Sequence, residues 1–140
     1  MSEKGKVVRF ITKDASLTLS VMDSTPVVAR AERVHKCSAV VTAALGRLLT
    51  AASMMGIMLK ENEDSITLKI NGGGPVGTVM AVSDSMGNVR GYAANPIVEI
   101  PSRPDGKLNV GAAVGGRGLL HVIKDTGRGQ PYIGCTPILT

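Results

Sequence analysis

The sequence has 140 residues, of which 44% are hydrophobic and only 2% are aromatic, and its net charge is +5 at neutral pH. This length fits a single domain with a sizeable core, and the hydrophobic content excludes an intrinsically disordered chain. The basic residues are scattered, and the aromatic rings on which nucleic-acid-binding surfaces stack bases are almost missing. We therefore expect no nucleic-acid partner.

The first two segments with alternating hydrophobic residues predict a β-hairpin. Apolar and polar side chains alternate over residues 6–12 and again over residues 16–22, and a short turn at residues 13–15 separates them. Alternation with a period of two is typical of strands, and two such runs joined by a few turn residues indicate a hairpin.

Helical spacing follows the hairpin. Thr25 is the predicted N-cap, and Pro26 is suited to the first helical position because its missing N–H has no partner there anyway. The spacing places three apolar side chains, Val27, Ala31 and Val34, on one stripe. Glu32 and Lys36 are four residues apart in the order that favours an ion pair on a helix.

A second helix is predicted from about residue 38 to residue 59, and it is apolar on nearly every side. Such a helix is either buried in a core or spans a membrane. Arg47 lies near its middle, where a charge costs about 2.5–3.5 kcal/mol on insertion scales, and Ala, Ser and Thr are frequent. We predict a core helix and no membrane span. The first ten residues lack the apolar run of a signal peptide, so we expect a cytoplasmic protein.

The second half of the chain reads mainly as strands. Strands are predicted over residues 65–72, 77–83, 89–94 and 118–125, a loop with at most one edge strand over 95–106, and a short helical turn within 107–116. Strands, then two helices, then strands without alternation predict an α+β fold, not repeated βαβ units. We expect mainly antiparallel sheets packed around the long, largely buried central helix.

The segment KINGGGPVGTVMAV contains a possible phosphate-binding loop. Gly72, Gly74 and Gly77 spell Gly-x-Gly-x-x-Gly, and Glu99 lies at a distance suited to a ribose-binding acid. That fingerprint requires a helix immediately after the glycines. A strand pattern follows instead, and Pro75 removes one N–H from the loop.

The preferred interpretation of these glycines is a connection that lets two strands turn and pack against the long helix. It predicts a positive φ at one or more of Gly72, Gly73 and Gly74, because glycine adopts that conformation without steric cost. The alternative is a small nucleotide-binding protein or an enzyme that uses the Gly72–Gly77 loop.

Other residues that carry chemistry do not form a recognisable site. Cys37 and Cys135 are far apart and no Cys-x-x-Cys spacing occurs, and His35 and His121 each stand alone, whereas metal sites need three or four ligands. Ser53 lies inside the apolar helix and not on a strand-to-helix elbow. We therefore predict no catalytic, cofactor-binding or metal-binding residue, and no enzyme.

Four segments in this order resemble one known family. They are ALGRLLTAASMMG, LKINGGGPVG, GNVRGYAANP and VIKDTGRGQPYIG. Together they resemble the amino-terminal domain of the redox-regulated molecular chaperone family, the 33-kilodalton heat-shock protein. The resemblance covers nearly the whole chain. It implies a layered α+β domain and a cytoplasmic holdase that binds unfolding clients under oxidative stress, often as a homodimer; it points to no particular client-binding residue.

The sequence also departs from that family's pattern. Members of the family are about twice as long, and their carboxy-terminal region carries Cys-x-Cys and Cys-x-x-Cys pairs that bind zinc when reduced and form disulfides when oxidised. Cys37 and Cys135 do not match those cysteines, and Cys135-Thr136 stands where the family commonly has Gln-Val. We therefore expect residues 1–140 to form a single, incomplete amino-terminal chaperone domain without its redox-sensing zinc region.

Overall fold

The computed structural model describes residues 4–139, and these form an α+β fold as predicted. The elements in chain order are β1 (Lys6–Ile11), β2 (Thr18–Asp23), α1 (Thr25–His35), α2 (Ala39–Gly56), β3 (Ser65–Asn71), β4 (Val79–Asp84), β5 (Val89–Ala93), α3 (Val110–Val114), β6 (Leu119–Asp125) and β7 (Tyr132–Pro137). The strand β7 had no counterpart among the predicted strands, and residues 95–106 contain no strand.

The strands form two antiparallel sheets. β1 and β2 make the predicted hairpin, and the other five strands lie in the order β5-β4-β3-β6-β7. The predicted meander β3–β5 is confirmed, and β6 returns to pair with the other side of β3. β5 and β7 are therefore the edges of the larger sheet.

The start of α1 lies one residue before the predicted position. The N-cap is Ser24, not Thr25, and Pro26 occupies the second helical position. Asp23 explains the shift, because its carboxylate accepts the N–H of Thr25 at 3.1 Å and so satisfies the first donor of the helix. The hydroxyl of Ser24 lies 2.7 Å from Thr50 Oγ1 on α2, which ties the beginning of one helix to the side of the other.

The end of α1 corrects the predicted pairing of Glu32 with Lys36. Val27, Ala31 and Val34 lie along one side of the helix as predicted; the first two pack against the core, and Val34, near the end of α1, is 65% exposed. Lys36 has the left-handed φ of 52° and caps the helix. Because Lys36 is no longer helical, its side chain does not lie one turn beyond Glu32. The predicted ion pair is not among those found in residues 4–139.

The helix α2 forms the centre of the core, as predicted from its composition. Ten of its 18 residues are buried, and only Ala39 and Arg47 are exposed. Its mean hydropathy of 1.4 and its length would also suit a membrane span. Half of the helix is covered by the rest of the described chain, chiefly by the inner face of β3–β5 and by α1, which supports the predicted core helix.

The helices α1 and α2 approach each other at Gly46. A Cβ at this position would lie 2.8 Å from one γ-methyl of Val28 and 2.9 Å from the other. Val28 is β-branched and holds a single preferred rotamer in a helix, so it cannot easily turn away. Glycine is therefore required here by the packing of α1 and not by the conformation of α2.

We expect Gly46→Ala to lower the free energy of unfolding by about 1–3 kcal/mol, the typical cost of overpacking, although alanine favours helix by about 1 kcal/mol. In the Val28→Ala background the same substitution should be neutral or stabilising, because the clashing methyl groups are gone. Urea unfolding followed by circular dichroism measures all four proteins of this double-mutant cycle. Stabilisation by Gly46→Ala in the original background would contradict the close approach.

Candidate functional site

The glycine loop between β3 and β4 has the predicted backbone conformation. Gly73 has a φ of 78°, which confirms the expectation of a positive φ among the three consecutive glycines, and Gly77 has a φ of 68°. Asn71 shapes the loop by accepting the N–H of Gly73 at 3.0 Å and by donating to Thr78 Oγ1 at 3.2 Å. The strand β4 begins two residues after Gly77, so no helix follows the glycines.

The backbone donors of this loop are already occupied. Beyond Gly73, the N–H groups bond to backbone carbonyls: Gly74 to Val114 at 2.9 Å, Val76 to Ala113 at 3.0 Å and Gly77 to Gly74 at 3.1 Å. Pro75 has no N–H at all. A phosphate cradle needs several free N–H groups that point at the ligand, so residues 73–77 cannot form one.

The strands β3 and β4 pack on α2 as predicted, and the glycines between them pack against a further element. A Cβ on Gly72 would collide with the carbonyl oxygen of Gly115, and one on Gly74 would collide with that of Ala113. The loop therefore packs against α3 and the segment that leads into β6. The reason is topological, because β6 pairs beside β3 and so brings the end of α3 against the loop that leaves β3.

We expect Gly72→Ala to destabilise the fold by more than about 2 kcal/mol, because the collision is with backbone that cannot rotate away. Gly111→Ala is the matched control, since a Cβ at that position in α3 meets nothing within 4 Å. Thermal unfolding of both variants measures the difference. Equal melting temperatures would show that the backbone contact between Gly72 and Gly115 is absent.

We further expect no binding of NAD or ATP tighter than about 100 μM, which corresponds to roughly −5.5 kcal/mol, because the N–H groups of residues 73–77 are bonded within the fold or, at Pro75, missing. Isothermal titration calorimetry of the original chain tests this directly. Tighter binding would revive the alternative of a nucleotide-binding protein that uses the Gly72–Gly77 loop.

The cysteines and histidines lie apart in the structure. Cys37 is buried after α1, and burial, with a contribution from Glu32, raises the pKa of its thiol. Cys135 is exposed on β7 and lies directly opposite His121 on β6. His35 ends α1. In residues 4–139, no three His, Cys, Asp or Glu side chains are grouped so that they could hold a metal ion.

Two buried polar side chains, Ser53 and Asp64, are of the types that can act as a nucleophile or a base where their surroundings allow it. Ser53 on α2 donates its hydroxyl hydrogen to the carbonyl of Gly87 at 2.7 Å, which fastens the turn between β4 and β5 to the central helix. Asp64 is only 3% exposed; its Oδ2 lies 4.0 Å from the ammonium of Lys124, and its Oδ1 has no hydrogen-bond partner among the described residues. Neither arrangement places a base beside a nucleophile or pairs two carboxylates, which are the usual components of acid–base catalysis.

One face of the hairpin is apolar and exposed. The cross-strand register places five side chains together on it, and they are 39–63% exposed: Val8, Phe10, Leu17, Leu19 and Val21. We call this surface the hairpin face. An isolated two-stranded sheet is only marginally stable, and contiguous exposed apolar patches usually mark an interaction surface.

A cleft of 720 Å³ lies between the hairpin, α1 and β5, and we call it the α1–β5 cleft. Its floor is apolar and is formed by Leu49 on α2, Ile57 directly after α2 and Val27 on α1. Its rim is basic, with Arg30 on α1 and Arg90 on β5. The sequence indicated the apolar alternation of the hairpin, but it contained no signal for the cleft, which three distant segments create together.

These features describe an α+β domain whose open surfaces suit contacts with polypeptides and whose glycine loop does not suit nucleotides. The family model described as Hsp33 protein matches residues 5–140, so the chain belongs to the Hsp33 family. The sequence resemblance to the 33-kilodalton heat-shock proteins is thus confirmed.

Similar proteins agree with this assignment. The chain is 48% identical over 135 residues to the 33 kDa chaperonin of Alkaliphilus metalliredigens and 47% identical over 134 residues to that of Clostridioides difficile. It covers 46% of each of those proteins, and 96% of this chain is matched in both cases. The crystal structure of the 33 kDa chaperonin of Thermotoga maritima superimposes with a TM-score of 0.89 at 35% identity, covering 95% of this chain and 45% of that one. The chain therefore spans about half the length of the curated relatives it matches.

Proposed function

We propose that this chain acts as a holdase, a chaperone that binds unfolded polypeptides and keeps them from aggregating. The observation that carries the proposal is the hairpin face, a continuous apolar surface on a sheet of only two strands. The names of the relatives, 33 kDa chaperonin, support the same activity. Binding apolar segments of a client would remove both apolar surfaces from water, which is the main driving force of such contacts.

In this proposal the protein is not an enzyme and works in the cytoplasm during oxidative stress. We place the redox-sensing zinc region that the family resemblance implies in the part of the relatives' length that this chain does not cover. Cys37 and Cys135 do not fit zinc, because the first is buried beside α2 and the second is exposed on the edge strand β7. No step of client binding by this chain is therefore assigned to a metal.

The hairpin face also supports a homodimer. In a dimer that packs the two hairpin faces together, each copy would cover the apolar side chains of the other. A client would otherwise cover those side chains. Sheet-on-sheet packing of this kind buries the inner residues of both partners. Self-association and client binding would then compete for one surface.

We expect the chain to suppress the aggregation of a thermally unfolding client, measured by light scattering at several-fold molar excess. The double variant Phe10→Asn with Leu19→Asn should weaken suppression about tenfold or more, because each half-exposed side chain contributes on the order of 1 kcal/mol when it becomes fully buried. Ile97→Asn is the matched control, since Ile97 is 67% exposed but lies in the loop after β5, outside the hairpin face.

The oligomeric state is measured on the same samples without client, by sedimentation. The original chain and Ile97→Asn should sediment as dimers at tens of micromolar, and the double hairpin variant as a monomer. Circular dichroism confirms that each variant is folded. A well-folded original chain that suppresses no aggregation would rule out the holdase, and a monomeric original chain would rule out the proposed dimer.

A further inference from the structure

The edge strand β5 presents unpaired backbone groups to the α1–β5 cleft. The hydrogen bonds from Asp84 N to Asn88 O and from Ala94 N to Thr78 O fix the alternation of the ladder between β4 and β5. In an antiparallel ladder every second residue bonds to the partner strand, and the residues between point their N–H and C=O groups the other way.

The outward-pointing residues of β5 are Val89, Gly91 and Ala93. Their N–H and C=O groups have no hydrogen-bond partner within the part of the chain that the structure describes. Val89 and Gly91 line the α1–β5 cleft. Free edges of this kind can accept an additional strand from another polypeptide, whose main-chain groups complete the ladder.

The cleft has room for such a strand and an apolar floor to receive its side chains. A strand rises about 3.3 Å per residue, so about three residues would match residues 89–91, the part of β5 that lines the cleft. The volume of 720 Å³ is within the range of ligand-binding clefts. Side chains on one face of the added strand would lie over Leu49 and Ile57, and the flexible side chain of Met86 at the mouth, 78% exposed, can adapt to different partners.

The charges around the cleft favour a negatively charged partner. Lys4, Arg30 and Arg90 line it, and none of its lining residues is acidic. The ion pairs found in residues 4–139 do not involve these three cations. The nearby carboxylate of Asp84 is held in its own turn by the N–H groups of Met86 and Asn88, each at 2.9 Å.

We propose that the α1–β5 cleft binds a short extended segment of an unfolded polypeptide in which apolar residues alternate with carboxylates. The segment adds a strand to the free edge of β5, lays its apolar side chains on the floor and directs its carboxylates to Arg30 and Lys4. This inference rests on the proposed holdase function and names the class of client segment that the chain selects. It assigns to the cleft a site distinct from the hairpin face.

The test uses fluorescein-labelled hexapeptides and fluorescence anisotropy at low ionic strength. Val-Glu-Val-Glu-Ile-Glu should bind the original chain at least tenfold more tightly than Val-Lys-Val-Lys-Ile-Lys, which has the same apolar residues. Arg30→Glu should weaken binding of the acidic peptide at least threefold. Arg128→Glu is the matched control, because it makes the same change of charge at an exposed loop residue outside the cleft and should leave affinity unchanged.

Two N-methylated forms of the acidic peptide test the added strand itself. Methylation of the odd-numbered or of the even-numbered amides removes the donors on one edge of the peptide only. One of these forms should lose binding at least tenfold and the other should retain it, and amide hydrogen exchange at Gly91 should slow when the unmodified peptide binds. Equal affinities of the two methylated forms, or of the acidic and basic peptides, would overturn the proposal.

The result separates this inference from the holdase. Suppression of client aggregation without charge-selective peptide binding would overturn the cleft site and leave the holdase with its hairpin face. Peptide binding without suppression would support the cleft and overturn the holdase. A loss of peptide binding as the protein concentration rises, with amide protection at Gly91 in the absence of peptide, would show that a second copy occupies the cleft and would overturn the client segment as its occupant.

Discussion

The burial of α2 against the inner face of β3–β5 is the interaction on which the rest of the structure depends. An 18-residue helix with only two exposed positions has no solvent-facing side, so every neighbouring element must pack on it. The close approach of α1 at Gly46 and the tie from Ser53 to the β4–β5 turn both follow from this. The surfaces that remain open, the hairpin face and the α1–β5 cleft, lie where this packing stops.

The elements with strong local patterns could be predicted from the sequence, and those defined by tertiary contacts could not. The hairpin, the long helix and the meander follow from hydrophobic periods of two and 3.6 residues. The strand β7 was missed because Gly134 and Pro137 weaken its pattern and only the pairing with β6 defines it. The pairing of Glu32 with Lys36 was wrong because no local signal shows that α1 ends at His35 and that Lys36 adopts the left-handed conformation.

The glycine loop matches the sequence of a nucleotide-binding motif but has a structural role instead. Residues 72–77 match a dinucleotide fingerprint in letters, and the strand after them already argued against it. What the sequence could not reveal is the partner of the glycines, because the segment around Gly115 lies about forty residues away and reaches the loop only through the pairing of β6 with β3. The hairpin face and the α1–β5 cleft could not be predicted for the same reason. The exposure of a side chain and the free edge of a strand depend on how the sheets assemble, which no local sequence pattern shows.

The bond between Ser53 and Gly87 joins the wall of the α1–β5 cleft to the centre of the core. The buried hydroxyl of Ser53 links the turn carrying Met86 to the side of α2. Ser53 and Leu49 belong to α2 and also line the cleft, so the core and the cleft share side chains. A substitution that changes the shape of these side chains therefore alters the cleft and the core together.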